Sequence, residues 1–125
     1  MATEPMTLSM VGGTPVQDLA GNVYDDGHLR VEHDNYYVTV AGRVLKLPRK
    51  EFLIMSRLAR NVERIVESEE LWQHAWGPSV PFNAESLHVH IYRLRRRLES
   101  FGLRIETMVS VGYRLLTNGG KSSRQ

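Results

Sequence analysis

At 125 residues the chain is long enough to bury a core and too short for two domains of ordinary size. It contains no cysteine, which excludes disulfides, thiolate metal sites and cysteine nucleophiles. No run approaches the roughly 20 apolar residues of a membrane span and no secretory leader pattern opens the chain, so a soluble cytoplasmic protein is expected. The net charge of +2 conceals a polarity: residues 1–47 carry −3 and the remainder +5, a distribution suited to presenting one end to a polyanion.

Residues 1–21 mix Thr, Ser, Gly and Pro without a period and are expected to form a flexible lead-in or linker. Short alternating runs then begin: Leu29, Val31 and His33, next Tyr36 to Val40, then Arg43 to Leu47. Asp34-Asn35 and Ala41-Gly42 separate them with turn-forming residues, which predicts a three-strand antiparallel meander, with Val23-Tyr24 as a fourth strand at its edge. The acidic pair Asp25-Asp26 is read as a turn.

A first helix is predicted from Pro48, where a missing N–H is no loss, with Phe52, Met55, Leu58, Ala59 and Val62 on its apolar face. The second opens with Ser68 as N-cap and Glu69 and Glu70 in the first turn, carries Leu71, Trp72, Ala75 and Trp76, and ends at Gly77-Pro78. After a loop to Phe82, Asn83 is the expected cap of the third helix. A hairpin of Arg104 to Met108 and Tyr113 to Leu116 follows, with Gly112 supplying permissive backbone near its turn. Residues 118–125 are expected to be a flexible tail.

The third helix is the most informative segment. Its apolar residues, Leu87, Ile91, Leu94 and Leu98, share one stripe at roughly 100° per residue. Val89, Tyr92, Arg93 and Arg96 then point away from that stripe, with His90 and Arg97 on one flank and His88 and Arg95 on the other. One side is made for a core and the other for a polyanion. His88 and His90 stand about 200° apart and cannot share one metal ion. With no phosphate loop, nucleophile elbow or carboxylate pair, neither catalysis nor a cofactor is expected.

Three helices closed by a hairpin describe a winged helix-turn-helix, an α+β fold in which the third helix enters the major groove and the hairpin reaches the flanking backbone or minor groove. The stretch from Asn22 to Leu116 also resembles the DNA-binding domain of the OmpR/PhoB family of bacterial response regulators. The resemblance is carried by Leu47, Glu51-Phe52, Leu58, Asn61, Arg64, Val66, Leu71 and Trp76-Gly77. His90-Ile91, Arg93-Leu94-Arg95, Leu98, Thr107 and Gly112-Tyr113-Arg114-Leu115 carry it most strongly. It implies one domain over residues 22–117 that binds double-stranded DNA sequence-specifically as a transcription regulator.

For the site, Arg93, Val89 and Arg96 are the candidate base readers, since arginine bridges guanine O6 and N7 and valine can touch a thymine methyl. By resemblance Arg93 is the main reader, and Trp76, Ser86, His90, Arg95, Thr107 and Tyr113 hold the DNA backbone, with Arg97 adding general charge there. Val80, Pro81 and Phe82 form either an exposed contact for RNA polymerase or a cluster tucked beneath the third helix. A dimer on DNA is the other candidate assembly.

Three positions depart from the family. Pro48 replaces a capping threonine, Glu85 a phosphate-binding arginine, and Val109 a wing arginine. An acid facing phosphate costs affinity unless it reads a cytosine amino group or pairs with an arginine. The family's receiver domain needs roughly 100 residues or more, and residues 1–21 cannot supply it. A domain excised from a longer regulator, or a stand-alone protein not switched by aspartyl phosphorylation, is therefore expected. The alternative function is a protein-interaction winged helix that binds RNA polymerase or another regulator instead of DNA.

Overall fold

The computed structural model describes residues 22–117 together with the backbone of Val16–Gln17. The chain divides into two compact units, residues 1–46 and 47–125. The expected tail lies outside the described residues. So does the expected lead-in, apart from Val16–Gln17.

The first unit is an antiparallel sheet of β1 (Val16–Gln17), β2 (Val23–Asp25), β3 (Leu29–Glu32), β4 (Tyr37–Val40) and β5 (Arg43–Val44), in that spatial order. It has one strand more than predicted, because β1 pairs with β2 and moves Val23-Tyr24 in from the edge. Tyr24 opposes Val31, Val31 opposes Val38, and Leu29 opposes Val40. All five are buried, so alternation places them on one face.

The turns explain the register. Asp25 Oδ1 accepts from the Gly27 N–H at 2.9 Å, and Asp26 Oδ1 accepts from His28 and Leu29 at 2.9 and 2.7 Å, so the acidic pair builds the β2–β3 turn. Between β4 and β5, Ala41 and Gly42 both take positive φ, 53° and 82°, as a two-residue primed turn requires. His33, expected in a strand, instead opens a short 3-10 turn, His33–Asn35, and Tyr36 follows it in the left-handed region at φ 53°.

The second unit contains α1 (Arg49–Ala59), β6 (Val66–Glu67), α2 (Ser68–Trp76), α3 (Ala84–Leu98), β7 (Arg104–Met108) and β8 (Gly112–Leu116). Pro48 is the N-cap of α1, one position before its predicted place, and its carbonyl accepts from Phe52 at 2.8 Å. Val62 lies beyond the end of α1 and is only half-buried. The core joins Phe52, Ile54, Met55 and Leu58 of α1 to Leu71 of α2, Leu87, Ile91, Leu94 and Leu98 of α3, and Leu115 of β8.

Ser68 is the first helical residue of α2 and not its cap. The reason is β6, a strand not predicted from the sequence. It pairs with β8 through Val66–Tyr113 and Glu67–Gly112 and leads straight into the helix. The Ser68 N–H then donates to the Val111 carbonyl at 3.1 Å, so wing backbone satisfies one of the free donors in the first turn of α2. The second sheet therefore runs β6-β8-β7, with the wing hairpin stitched to the entrance of α2.

Gly112 is needed for a different reason from the one expected. It lies within β8 and does not take positive φ; the left-handed residue of the wing turn is Ser110, at 67°. A Cβ at Gly112 would overlap the Val66 carbonyl oxygen and come within 2.8 Å of Glu67 Cα, so the close approach of β6 requires glycine. Gly112→Ala should cost about 1–3 kcal/mol by overpacking against backbone. Denaturant unfolding would measure the loss, and faster amide exchange at Val66–Glu67 than at β7 would locate it; unchanged stability would mean that β6 yields without cost.

Candidate nucleic-acid interface

Helix α3 starts as expected: Asn83 accepts the Ser86 N–H on its side-chain oxygen at 3.0 Å. Leu87, Ile91, Leu94 and Leu98 are all at most 1% exposed, while Val89, Tyr92, Arg93 and Arg96 are open to solvent. Sequence periodicity alone therefore gave the correct outward face.

The structure separates the arginines of α3 by what holds them. Arg95 donates from Nε and Nη2 to the Ile105 carbonyl at 3.0 and 2.8 Å, and from Nη2 to Thr107 Oγ1 at 2.9 Å, which links α3 to β7. Arg97 Nε donates to Glu51 Oε1 at 2.7 Å; that carboxylate on α1 is 3% exposed. Arg96 Nη1 donates to the Tyr92 hydroxyl at 3.1 Å. Arg93 is exposed and makes no hydrogen bond or ion pair among the described residues.

An aromatic stack supports one flank. Trp76 lies on Trp72 with ring centres 3.9 Å apart and planes at 7°, and meets the His90 ring in a perpendicular contact at 4.9 Å. Lys50 Nζ sits 5.3 Å from the Trp76 ring. His90 Nδ1 meets the Ser86 carbonyl oxygen at 2.8 Å, which places a proton on Nδ1 and fixes the ring. Trp76, Ser86 and His90 are thus brought together on one side of α3. Lys50 and Glu51 went unassigned as site residues in the sequence. Both are on α1, and their contacts are invisible to a pattern that treats each helix alone.

The other predicted positions are spread along the wing and loop. Thr107 is exposed beside Arg95, whereas Tyr113 is only 7% exposed and burial pushes its phenol up from the usual value of 10.0. Glu85, His88, Val89 and Tyr113 line an open hollow of about 650 Å³. Glu85 is exposed and pairs with no arginine among the described residues. At the wing tip Val109 is 82% exposed. Glu106 on β7 accepts from Arg114 at 2.8 Å and from Arg104 at 2.9 Å; the Arg114 hydrogen bond chiefly holds its carboxyl below the ordinary 4.5.

In the loop after α2, Trp72 Nε1 donates to the Val80 carbonyl at 2.9 Å and its ring meets Phe82 edge-on at 5.8 Å. Val80 and Phe82 remain 39% and 40% exposed, and Pro81 is exposed. They are not a sealed cluster beneath α3.

This geometry defines a winged helix: a helix with a buried apolar seam and a cationic outer face, flanked by an aromatic-supported N-terminal side and a β-hairpin. Residues 42–115 match the family model described as "Transcriptional regulatory protein, C terminal". The chain belongs to this family, the C-terminal DNA-binding domains of OmpR/PhoB regulators. It is 30% identical over 107 residues to the sensory transduction protein RegX3 of Mycobacterium leprae, covering 83% of this chain and 54% of RegX3. The response regulator DrrB of Thermotoga maritima, an OmpR/PhoB homolog, matches with TM-score 0.63 and 31% identity over 76% of this chain and 44% of DrrB. The Klebsiella pneumoniae RstA DNA-binding domain, solved with the RstA box, matches with TM-score 0.61 and 25% identity over 73% of this chain and 93% of that domain. The chain spans about half the length of the curated relatives it matches. Among the described residues no helix is long and apolar enough to cross a membrane.

The two kinds of arginine should separate in stability. Arg97→Ala strands the buried Glu51 carboxylate and should cost about 1–3 kcal/mol. Arg93→Ala removes an exposed side chain with no partner among the described residues and should stay within about 0.5 kcal/mol of the parent. Denaturant unfolding of both variants checks this; equal midpoints would show that the Glu51–Arg97 pair contributes nothing to the fold.

Proposed function

We propose that this chain binds specific double-stranded DNA sites as a bacterial transcription regulator, with α3 in the major groove and the β7–β8 hairpin on the flanking backbone or minor groove. The observation that carries this reading is Arg93: on the outward face of α3, exposed and without a protein partner among the described residues, beside exposed Val89. A guanidinium in that state keeps all of its donors for guanine O6 and N7.

Arg96 adds a second base-reading donor. Trp76, Ser86, His90, Arg95, Thr107 and Tyr113 hold phosphate and sugar, with Arg97 contributing charge. For Arg95 and Arg97 the contact competes with existing partners, Ile105, Thr107 and Glu51. Exposed Val80, Pro81 and Phe82 form the contact for RNA polymerase, and a second copy of the chain on DNA is the other protein partner. No catalytic chemistry and no cofactor belong to this function, and the cytoplasm is its compartment. The RstA domain bound to its box supports DNA as the ligand class.

Two observations favour a second reading, a winged helix directed at protein. Glu85 is exposed on the outer side of α3 without an ion pair among the described residues, and the wing tip presents apolar Val109 where a cation would favour DNA. Salt separates the two readings. Neutralising about six phosphates gives a log–log slope near −5 on duplex DNA, whereas a protein-only module shows no such dependence. On the DNA reading, Arg93→Ala should cost about 1–3 kcal/mol on a selected site and relax preference at one base position. Equal losses on selected and scrambled duplexes would reassign Arg93 to phosphate, and a flat salt response would reject DNA as the ligand.

A further inference from the structure

Tyr92 has no core to serve. It is 53% exposed on α3, one turn before Arg96, and both project away from the seam of Leu87, Ile91, Leu94 and Leu98. Its hydroxyl accepts from Arg96 Nη1 at 3.1 Å, and its ring centre lies 5.9 Å from Arg96 Cζ, within reach of a cation–π contact. The phenol therefore holds the guanidinium at two points.

The choice of nitrogen matters. A guanidinium has five N–H donors in a planar fork, and engaging Nη1 leaves the parallel N–H pair on Nε and Nη2 available. That edge matches the two acceptors, O6 and N7, that guanine shows in the major groove. A long side chain that must be ordered during binding gives up rotamer freedom at that moment; one already ordered does not. Arg93, one residue further along, has no comparable support among the described residues.

We infer that Tyr92 is a positioning residue for sequence recognition, whose phenol orders Arg96 so that its Nε and Nη2 edge meets a guanine. This inference rests on the DNA-binding function proposed above. Tyr92 acts through Arg96 and not through its own contact with a base.

The test is site selection from a random duplex library with the parent chain, Tyr92→Phe, Arg96→Ala and the double variant. Affinities on the selected and a scrambled duplex, and unfolding midpoints, are measured alongside. Arg96→Ala should flatten preference at one position. Tyr92→Phe keeps the ring and removes the hydroxyl; it should weaken preference at that same position by about threefold to tenfold. Affinity for the scrambled duplex and the unfolding midpoint should not move, and the double variant should match Arg96→Ala alone. The inference is overturned if Tyr92→Phe leaves that position unchanged, alters a different one, or still has an effect without Arg96. A parent chain that enriches no sequence would instead defeat the DNA reading itself and this inference with it.

Discussion

Burial of the α3 seam fixes everything the helix can present. Leu87, Ile91, Leu94 and Leu98 pack in the core shared by α1, α2 and β8, so α3 cannot roll about its axis without exposing one of them. Four such side chains represent several kcal/mol of apolar burial, at roughly 1.5–3 kcal/mol each, which outweighs any single polar contact on the opposite side. The orientation of Val89, Tyr92, Arg93 and Arg96 is therefore a consequence of packing. Chemistry on the outer face could vary widely while the fold stayed the same.

Ionic contacts then refine that orientation. Glu51 ties α1 to α3 through Arg97, and Arg95 ties α3 to β7 through the Ile105 carbonyl and Thr107. The first contact is the more demanding, since a carboxylate at 3% exposure has given up its water and depends on its guanidinium. Arg95 has a different consequence: it couples the angle of the helix to the wing. Because β8 also pairs with β6 and the Val111 carbonyl receives Ser68 at the start of α2, the wing is held through both of its strands. The hairpin is thus anchored to the three-helix core through backbone as well as side chains.

The parts legible in the sequence were those set by local periodicity. The seam of α3, its Asn83 cap, the apolar residues of α1 and α2 and the hairpin strands all follow from spacing within one element. Three features could not be read this way. The strand β6 is two residues long and exists because β8 is beside it. The use of Ser68 as the first helical residue depends on a carbonyl 43 positions along the chain. Gly112 looked like a turn glycine and is instead a close-approach glycine. The candidate site divides similarly: the outward face was readable, but the partners that hold Arg95, Arg96 and Arg97 come from β7, Tyr92 and α1, and only Tyr92 lies on the same helix.

Charge along the site is uneven, and this shapes how the chain can discriminate. Glu85 opens α3 with a carboxylate, Val109 leaves the wing tip apolar, and Glu106 engages Arg104 and Arg114 on the wing strands. The arginines of α3 are concentrated between Arg93 and Arg97. On the DNA reading, fewer phosphate contacts mean less of the salt-sensitive, sequence-independent attraction that dominates nonspecific binding. Base contacts are less affected, because they depend on the fixed roll of α3 and on how well its outward guanidiniums are ordered. On that reading, a weaker electrostatic background beneath an outward face whose roll is fixed by packing raises the ratio of specific to nonspecific binding, and that ratio, more than affinity alone, governs how a regulator finds its site among competing sequences.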